Sequence, residues 1–506
     1  MSFRREEGAA GRRPFRTPDS RTPGARSART VHARSPRTAR SRTVAAVALA
    51  LGTALLGAAC VPGTDGSGAG PAGGGGATAV PDPAKAGKVT LTVWDQEVRG
   101  GQNAEIEQLN EEFQEKYPNV RIKRVARSFS DLKTTLKLAL SGNTPPDVVQ
   151  ANQGYADMVA FAKAGMLTPL DDYAGLYGWN SRYPNTLLDL NRVSADGRNF
   201  GTGRLYGLSQ TGEYIGVYYN KDVLDDAGVE LPRTWAEFTD ALPKLKKAGE
   251  LPVQFGNLDK YPAIHTFGVL QDQAADSPAQ IRDTILGKGG GFDNEATERA
   301  ARTLADWADQ GYLPDGANGT GYDDAAKKFA GGDGAFLVTG TWQLADLKKQ
   351  MGGKLGFMPP PPAQADGPLR TTGGQGLAWA VTSKSRHPDV AAAYLEHLTD
   401  AHAADVMTGE GVLPAVPGKA ADRVPKDSPD GQMVRAWERL NEDDGMIPYL
   451  DYTTPTLFDT LSADLQGVIE GSLSPERLRS KMQDEYAAFR AEQGEEKESA
   501  DGGTDR

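Results

Sequence analysis

The sequence predicts an α/β protein whose folded body divides into two lobes. Three observations predict this. From residue 89 onward, strand-like and helix-like hydrophobic periodicities alternate, the pattern of a sheet covered by helices. Between two low-complexity ends lie about 400 residues, more than one ordinary core accommodates. After one apolar run near the N-terminus no second long one follows, so the body is expected to stay out of a bilayer.

The elements follow in order. Val89, Leu91 and Val93 alternate on one face of a first strand ending near Trp94. Ile106, Leu109 and Phe113 recur at spacings of three and four, a helix with one buried stripe. Tyr117-Pro118-Asn119 stops it, because a residue before proline avoids helical dihedrals. Val120 and Ile122 start a second strand. Ser130-Asp131 is the expected cap of a helix carrying Leu132, Leu136 and Leu140, which Gly142 ends. Asp147 to Gln150 reads as a third short strand. A sheet of this kind takes ligands at its strand ends.

Cys60 is the only cysteine in 506 residues, so it has no internal disulfide partner. An apolar run of about 16 residues, Val44 to Ala59, precedes it, short for a span and right for a signal h-region. Residues 1–42 carry twelve arginines and no lysine against Glu6, Glu7 and Asp19, a long positively charged leader. Either translation starts downstream, for instance at Val31, or the arm is real and Arg12-Arg13 is a twin-arginine candidate. The junction resembles the signal peptide of a bacterial lipoprotein, which implies residues 1–59 as leader and Cys60 as lipidation site. Ala58 and Ala59 fit that pattern, and Gly57 stands where an aliphatic residue is usual. Cleavage before Cys60 leaves 44 basic and 64 acidic residues, a net charge of −20, which repels nucleic acid and leaves membrane attachment to the lipid. Residues 60–88 are a Gly-rich tether with a root-mean-square span of about 30 Å, and residues 491–506 read as a disordered acidic tail.

Several stretches carry a second resemblance: Phe113-Gln-Glu-Lys-Tyr-Pro-Asn-Val120, Leu138 to Val149, Leu205-Tyr-Gly-Leu208, Gly216 to Asp222, Pro232 to Phe238, Gly334 to Trp342, Gly373-Gly-Gln-Gly376, and the helix opening at Pro388. In this order, over most of Val89 to Phe489, the body resembles the family 1 extracellular solute-binding proteins, the sugar receptors of ABC importers. The resemblance implies a periplasmic-binding-protein-like (type II) fold with a hinge and a central ligand cleft. It implies lobe 1 over 89–210 and 363–408, lobe 2 over 211–356 and 416–490, and crossings at 210–216, 357–362 and 409–415.

A sugar presents an apolar C–H face and an edge of hydroxyls, so its site needs an aromatic ring and fixed polar acceptors. Loops at strand ends supply both. Glu97 and Arg99 follow the first strand; Asn152, Gln153 and Tyr155 follow the third; Asn257, Asp259 and Tyr261 follow the apolar segment Leu251 to Phe255. Each loop fits a site and a solvated connection equally. Glu213, at the expected hinge, is a hydroxyl acceptor or a hinge ion pair. Gly374 and Gln375 precede a strand, where glycine permits close approach to a ligand. The resemblance places Trp342 where the family stacks a ring on sugar, and Asp451 in a loop that touches sugar in relatives. Trp235, behind the helix cap Thr234, and Trp379, within a strand, read as core.

Enzyme patterns fail on spacing. Gly207-Leu-Ser-Gln-Thr-Gly212 misses the nucleophile elbow by one residue, Gly201 to Gly207 misses the dinucleotide pattern, and no Walker A sequence occurs. His397 and His402, five residues apart, do not share a helix face, so neither metal nor cofactor is expected. Glu213 and Asp451 could form the carboxylate pair of a lipid-anchored glycosidase only at a suitable separation. A sugar-sensing partner of a membrane receptor would share the same fold. The reading the resemblance implies is non-catalytic: a monomer that captures a mono- or oligosaccharide outside the membrane and delivers it to the importer's permease and, through it, the ATPase.

Overall fold

The computed structural model describes residues 79–501, with side chains through 494. The leader 1–59, Cys60 and the first part of the tether lie outside the described residues. So do the last residues of the chain.

Among the described residues, twelve strands form two main sheets and a small hairpin. They are β1 Val89–Asp95, β2 Val120–Ala126, β3 Val148–Ala151, β4 Arg192–Val193, β5 Arg204–Leu205 and β6 Leu208–Ser209. Next come β7 Gly212–Asn220, β8 Phe336–Gly340, β9 Leu355–Met358, β10 Thr371–Gln375, β11 Ala378–Val381 and β12 Met446–Ile447. The first sheet has the order β2-β1-β3-β11-β6, with β1 parallel to β2 and β3, and β11 antiparallel to β3 and β6. The second has the order β12-β10-β7-β8, with β9 also paired to β7. Each sheet with its helices is one lobe.

Periodicity dictates the first lobe. Val89, Leu91 and Val93 are buried, as are Ile106, Leu109 and Phe113 on helix α1 (Gly100–Lys116). Phe113 meets the rings of Tyr117 and Tyr394 edge-on at 5.0 and 5.4 Å. Helix α2 (Phe129–Ser141) buries Leu132, Leu136 and Leu140. Its cap is Ser128, whose Oγ accepts the Asp131 N–H at 3.2 Å, not Ser130-Asp131 as the sequence suggested. Thr234 caps its helix through the Glu237 N–H, and Trp235 stacks on Phe238. Trp379 is fully buried.

Three segments connect the lobes. Residues 210–211 join β6 to β7, residues 376–377 join β10 to β11, and residues 410–415 return to the second lobe. The segments bond to one another: Gly212 N–H to the Leu413 carbonyl (2.9 Å), Ala415 N–H to Gln210 (2.8 Å), and Gly376 N–H to Thr211 (3.0 Å). The crossing expected at 357–362 is corrected. Phe357 and Met358 pair with Tyr218 and Val217 inside the second sheet, and Thr371–Gln375 pairs with β7 there too. Residues 363–375 therefore stay with lobe 2. The four prolines from Pro359 cannot donate to a ladder, so they end β9 rather than carry the chain across.

The last helix spans Pro475–Asp501, so the backbone from 491 to 501 is helical where the sequence reading expected an irregular tail. Glu, Ala, Gln and Lys are strong helix formers, and Gly494 is the one breaker in that stretch. No helix of the described residues is long and apolar enough to cross a membrane.

Removing the Phe113 ring should destabilise the protein by about 3–5 kcal/mol, because the site is fully buried and ringed by aromatics. A urea midpoint for Phe113→Ala unchanged from wild type would contradict this packing.

Candidate functional site

The lobes meet around a pocket lined by residues of both. From lobe 1 come Gln96, Arg99 and Gln102 where β1 turns into α1, Phe129 at the start of α2, and Asn152 after β3. From lobe 2 come Tyr261, Ile264 and His265 on the helix Tyr261–Ala274, Trp342 after β8, and Tyr449, Asp451, Tyr452 and Phe458. The strand ends beside the crossings add Glu213 and Gln375, and the crossing itself adds Leu377.

The rings form a continuous wall. His265 lies 5.4 Å from Tyr261, 5.5 Å from Trp342 and 5.2 Å from Tyr449, and Phe129 reaches across to Tyr261 at 5.5 Å. Burial pushes the His265 imidazole down to about 3, so it is neutral at any ordinary pH, and its Nδ1 is left without a partner.

Polar groups stand among the rings. Burial pushes the Glu213 carboxyl up to about 8; repulsion from Glu97 adds to this, and Arg99 opposes it. The Asp451 carboxyl is also raised by burial, against the pull of Lys133 and the amide of Asn152, which donates to it at 3.1 Å across the lobe boundary. Gln375, which lines the cavity, donates an amide N–H to the Leu187 carbonyl (2.9 Å) and leaves Oε1 unpartnered. The hydroxyl of Tyr449 is likewise unpartnered. The cavity therefore presents flat apolar faces beside acceptors in need of donors, which suits a compact molecule with a C–H face and several hydroxyls.

Of the thirteen site residues named from sequence, the structure brings seven to this cavity: Arg99, Asn152, Glu213, Tyr261, Trp342, Gln375 and Asp451. The other six lie beside or behind it. Glu97 is buried below the floor, accepting from Gln150 Nε2 at 2.7 Å, and burial pushes it up to about 7. Gln153 is consumed by the hinge: its amide N–H group donates to Asn191, Ser209 and the Gly376 carbonyl, and its oxygen accepts from Tyr452 at 3.0 Å. Tyr155 packs in the core against Phe489 at 4.7 Å. Asn257 caps its own loop, accepting the Ala263 N–H at 3.1 Å, and Asp259 accepts the Tyr322 N–H at 2.8 Å. Gly374, at φ 143°, faces the opposite side of β10, where a Cβ would lie 3.0 Å from Leu190. A strand-end loop turns alternate residues away from the cleft, and sequence does not say which.

Sequence reasoning missed Gln96, Gln102, Phe129, Ile264, His265, Leu377, Tyr449, Tyr452 and Phe458. Two signals were present: His265 is one helical turn from Tyr261, and Tyr449 and Tyr452 flank Asp451. Phe129 and Phe458 carry none, since each reads as an ordinary core aromatic. Among the described residues, no group of three or more His, Cys, Asp or Glu could hold a metal ion.

Two lobes with a ring-lined pocket between them define a ligand-capturing protein. Residues 100–405 match the model of the bacterial extracellular solute-binding proteins, and the chain belongs to that family, a class of binding proteins rather than enzymes. It is similar to a multiple sugar-binding protein of Streptococcus mutans, at 24% identity over 327 residues, covering 63% of this chain and 73% of the relative. It is also similar to a lactose-binding protein of Rhizobium radiobacter, at 22% identity over 78% of this chain and 91% of the relative. Among solved structures, a chitin oligosaccharide binding protein superposes with TM-score 0.67 at 23% identity, covering 80% of this chain and 99% of the other. The solute-binding protein RafE in complex with raffinose gives 0.63 at 21% identity, covering 80% and 100%. These likenesses establish the type II two-lobed α/β fold.

The raised carboxyl of Glu213 makes a signed prediction. Its folded-state value lies above the unfolded one, so its contribution to stability is fully present below about pH 4.5 and is lost as pH rises through about 8. Glu213→Gln should therefore gain stability relative to wild type over that interval. Parallel melting curves of the two proteins at several pH values would contradict the buried setting of Glu213.

Proposed function

We propose that the protein is an extracytoplasmic carbohydrate receptor of an ABC-type sugar importer. It captures a mono- or oligosaccharide between its lobes and presents the closed form to the membrane permease. One observation carries this reading: the inter-lobe cavity combines a ring wall with buried, underused acceptors, the two halves of sugar recognition. The names of the relatives point the same way. Trp342, Tyr261 and His265 offer faces to the pyranose; Glu213, Asp451, Gln375 and Asn152 take its hydroxyls; Arg99 closes the rim. The work done is a shift in population, because a ligand touching both lobes binds the closed form better than the open one. Cys60 anchors the chain to the outer face of the membrane through a lipid, residues 61–88 let a monomeric body reach the permease, and the ATPase is engaged only through that permease.

Thermal unfolding of the body, residues 79–494, against lactose, raffinose and chitin oligosaccharides tests this reading. A sugar at about 100 times its dissociation constant should add about 2.7 kcal/mol of stability. Trp342→Ala should abolish the sugar-induced shift. Absence of any shift across a broad carbohydrate panel, or release of shorter sugars at a catalytic rate, would sink the proposal. Metabolic labelling with palmitate, lost in Cys60→Ala, is the expected result for the anchor.

A further inference from the structure

Tyr322 does not line the cavity, yet its contacts converge on residues that do. It opens the helix Tyr322–Ala330 and is buried. Its backbone N–H is held by the Asp259 carboxylate at 2.8 Å, which gives that sequence-flagged acid a role behind the wall. Its hydroxyl accepts the indole N–H of Trp342 at 2.5 Å. Indole nitrogen can only donate, so the Tyr322 hydrogen is free to go to Thr339 Oγ1, 2.6 Å away. Both bonds are thereby directed, and the indole is fixed at its polar edge.

The indole is also fixed from below. A Cβ on Gly340 would stand 2.1 Å from the Trp342 ring, so the ring folds back over a residue that must be glycine. From the other lobe, the Arg99 guanidinium lies 5.3 Å over the Tyr322 ring and donates to Asp323 at 3.2 Å. Lobe 1 thus touches the very ring whose hydroxyl sets Trp342.

We infer that Tyr322 is a positioning residue for the stacking ring: it orients Trp342 toward the cavity, and Arg99 ties that orientation to lobe closure. The inference rests on the proposed function in taking Trp342 as the ring that meets sugar.

Tyr322→Phe tests it, since it keeps the ring under Arg99 and removes only the hydroxyl, with its bonds to Trp342 and Thr339. Affinity for whichever of lactose, raffinose or chitotriose binds the wild type should fall about tenfold, the effect of leaving one buried donor unmet. Thr339→Val removes the other partner of the same hydroxyl and should leave affinity within about twofold, whereas a merely structural role would make the two variants alike. The indole N–H resonance of Trp342, assigned with Trp342→Phe, should lie downfield in sugar-free wild type and move in Tyr322→Phe. Wild-type affinity in Tyr322→Phe, or an equal loss in Thr339→Val, would overturn the inference. So would a sugar-free wild-type indole resonance at the position of a solvent-exposed tryptophan, a measurement that decides the matter even where Tyr322→Phe fails to fold. If wild type binds no carbohydrate, the proposed function fails, and the sugar-free indole resonance still decides whether Tyr322 holds the ring.

Discussion

The structure depends on the place where three chain segments cross between the lobes. No regular sheet continues through that point, so each segment's backbone groups must be satisfied by the other two. They are, through Gly212 to Leu413, Ala415 to Gln210 and Gly376 to Thr211. The closeness of these contacts selects the residues. A Cβ on Gly376 would lie 2.0 Å from Thr211 Oγ1 and 2.8 Å from Glu213 Oε1, and one on Gly212 would meet the Trp437 ring at 2.9 Å. Because Glu213 and Gln375 issue from the same crossing, the hinge that permits closure also delivers acceptors to the cavity.

Side chains extend this junction into the first lobe. Gln210 donates to Glu105 on α1 at 2.7 Å and accepts from Trp379 on β11 at 3.0 Å. Gln153 spans Asn191, Ser209 and Gly376. Below the cavity, Asp95 holds Arg124 through two contacts of 2.8 Å, while burial raises the neighbouring Glu97 and Glu105 carboxyls. One oxygen of each is unpartnered. A protonated carboxyl costs far less to bury than a charged one, so the raised values are what make this acidic floor tolerable.

The cavity is a property of closure rather than of either lobe. Asn152 and Asp451, Gln153 and Tyr452, Arg99 and Asp323, and Phe129 and Tyr261 are each split between lobes. Lys133 adds a further contact, lying 4.5 Å over the Phe458 ring while paired with Asp157. An open form would forfeit these contacts, and a molecule that fills the cavity would favour keeping them.

By itself, the sequence determined the element pattern, the two-lobed α/β class and about half of the cavity residues it named. Hydrophobic spacing is local information, so Val89 to Val93, Ile106 to Phe113 and Leu132 to Leu140 were legible without partners. Glu213, Trp342 and Asp451 were legible through the motifs around them. Only the tertiary structure decided which face of each strand-end loop looks into the cleft, sending Glu97, Gln153 and Asp259 to support roles and bringing in Phe129, His265 and Phe458. It alone decided that 371–375 pairs with β7 and not with the first sheet. Strand pairing and loop facing depend on residues more than a hundred positions apart, and no local periodicity carries that information.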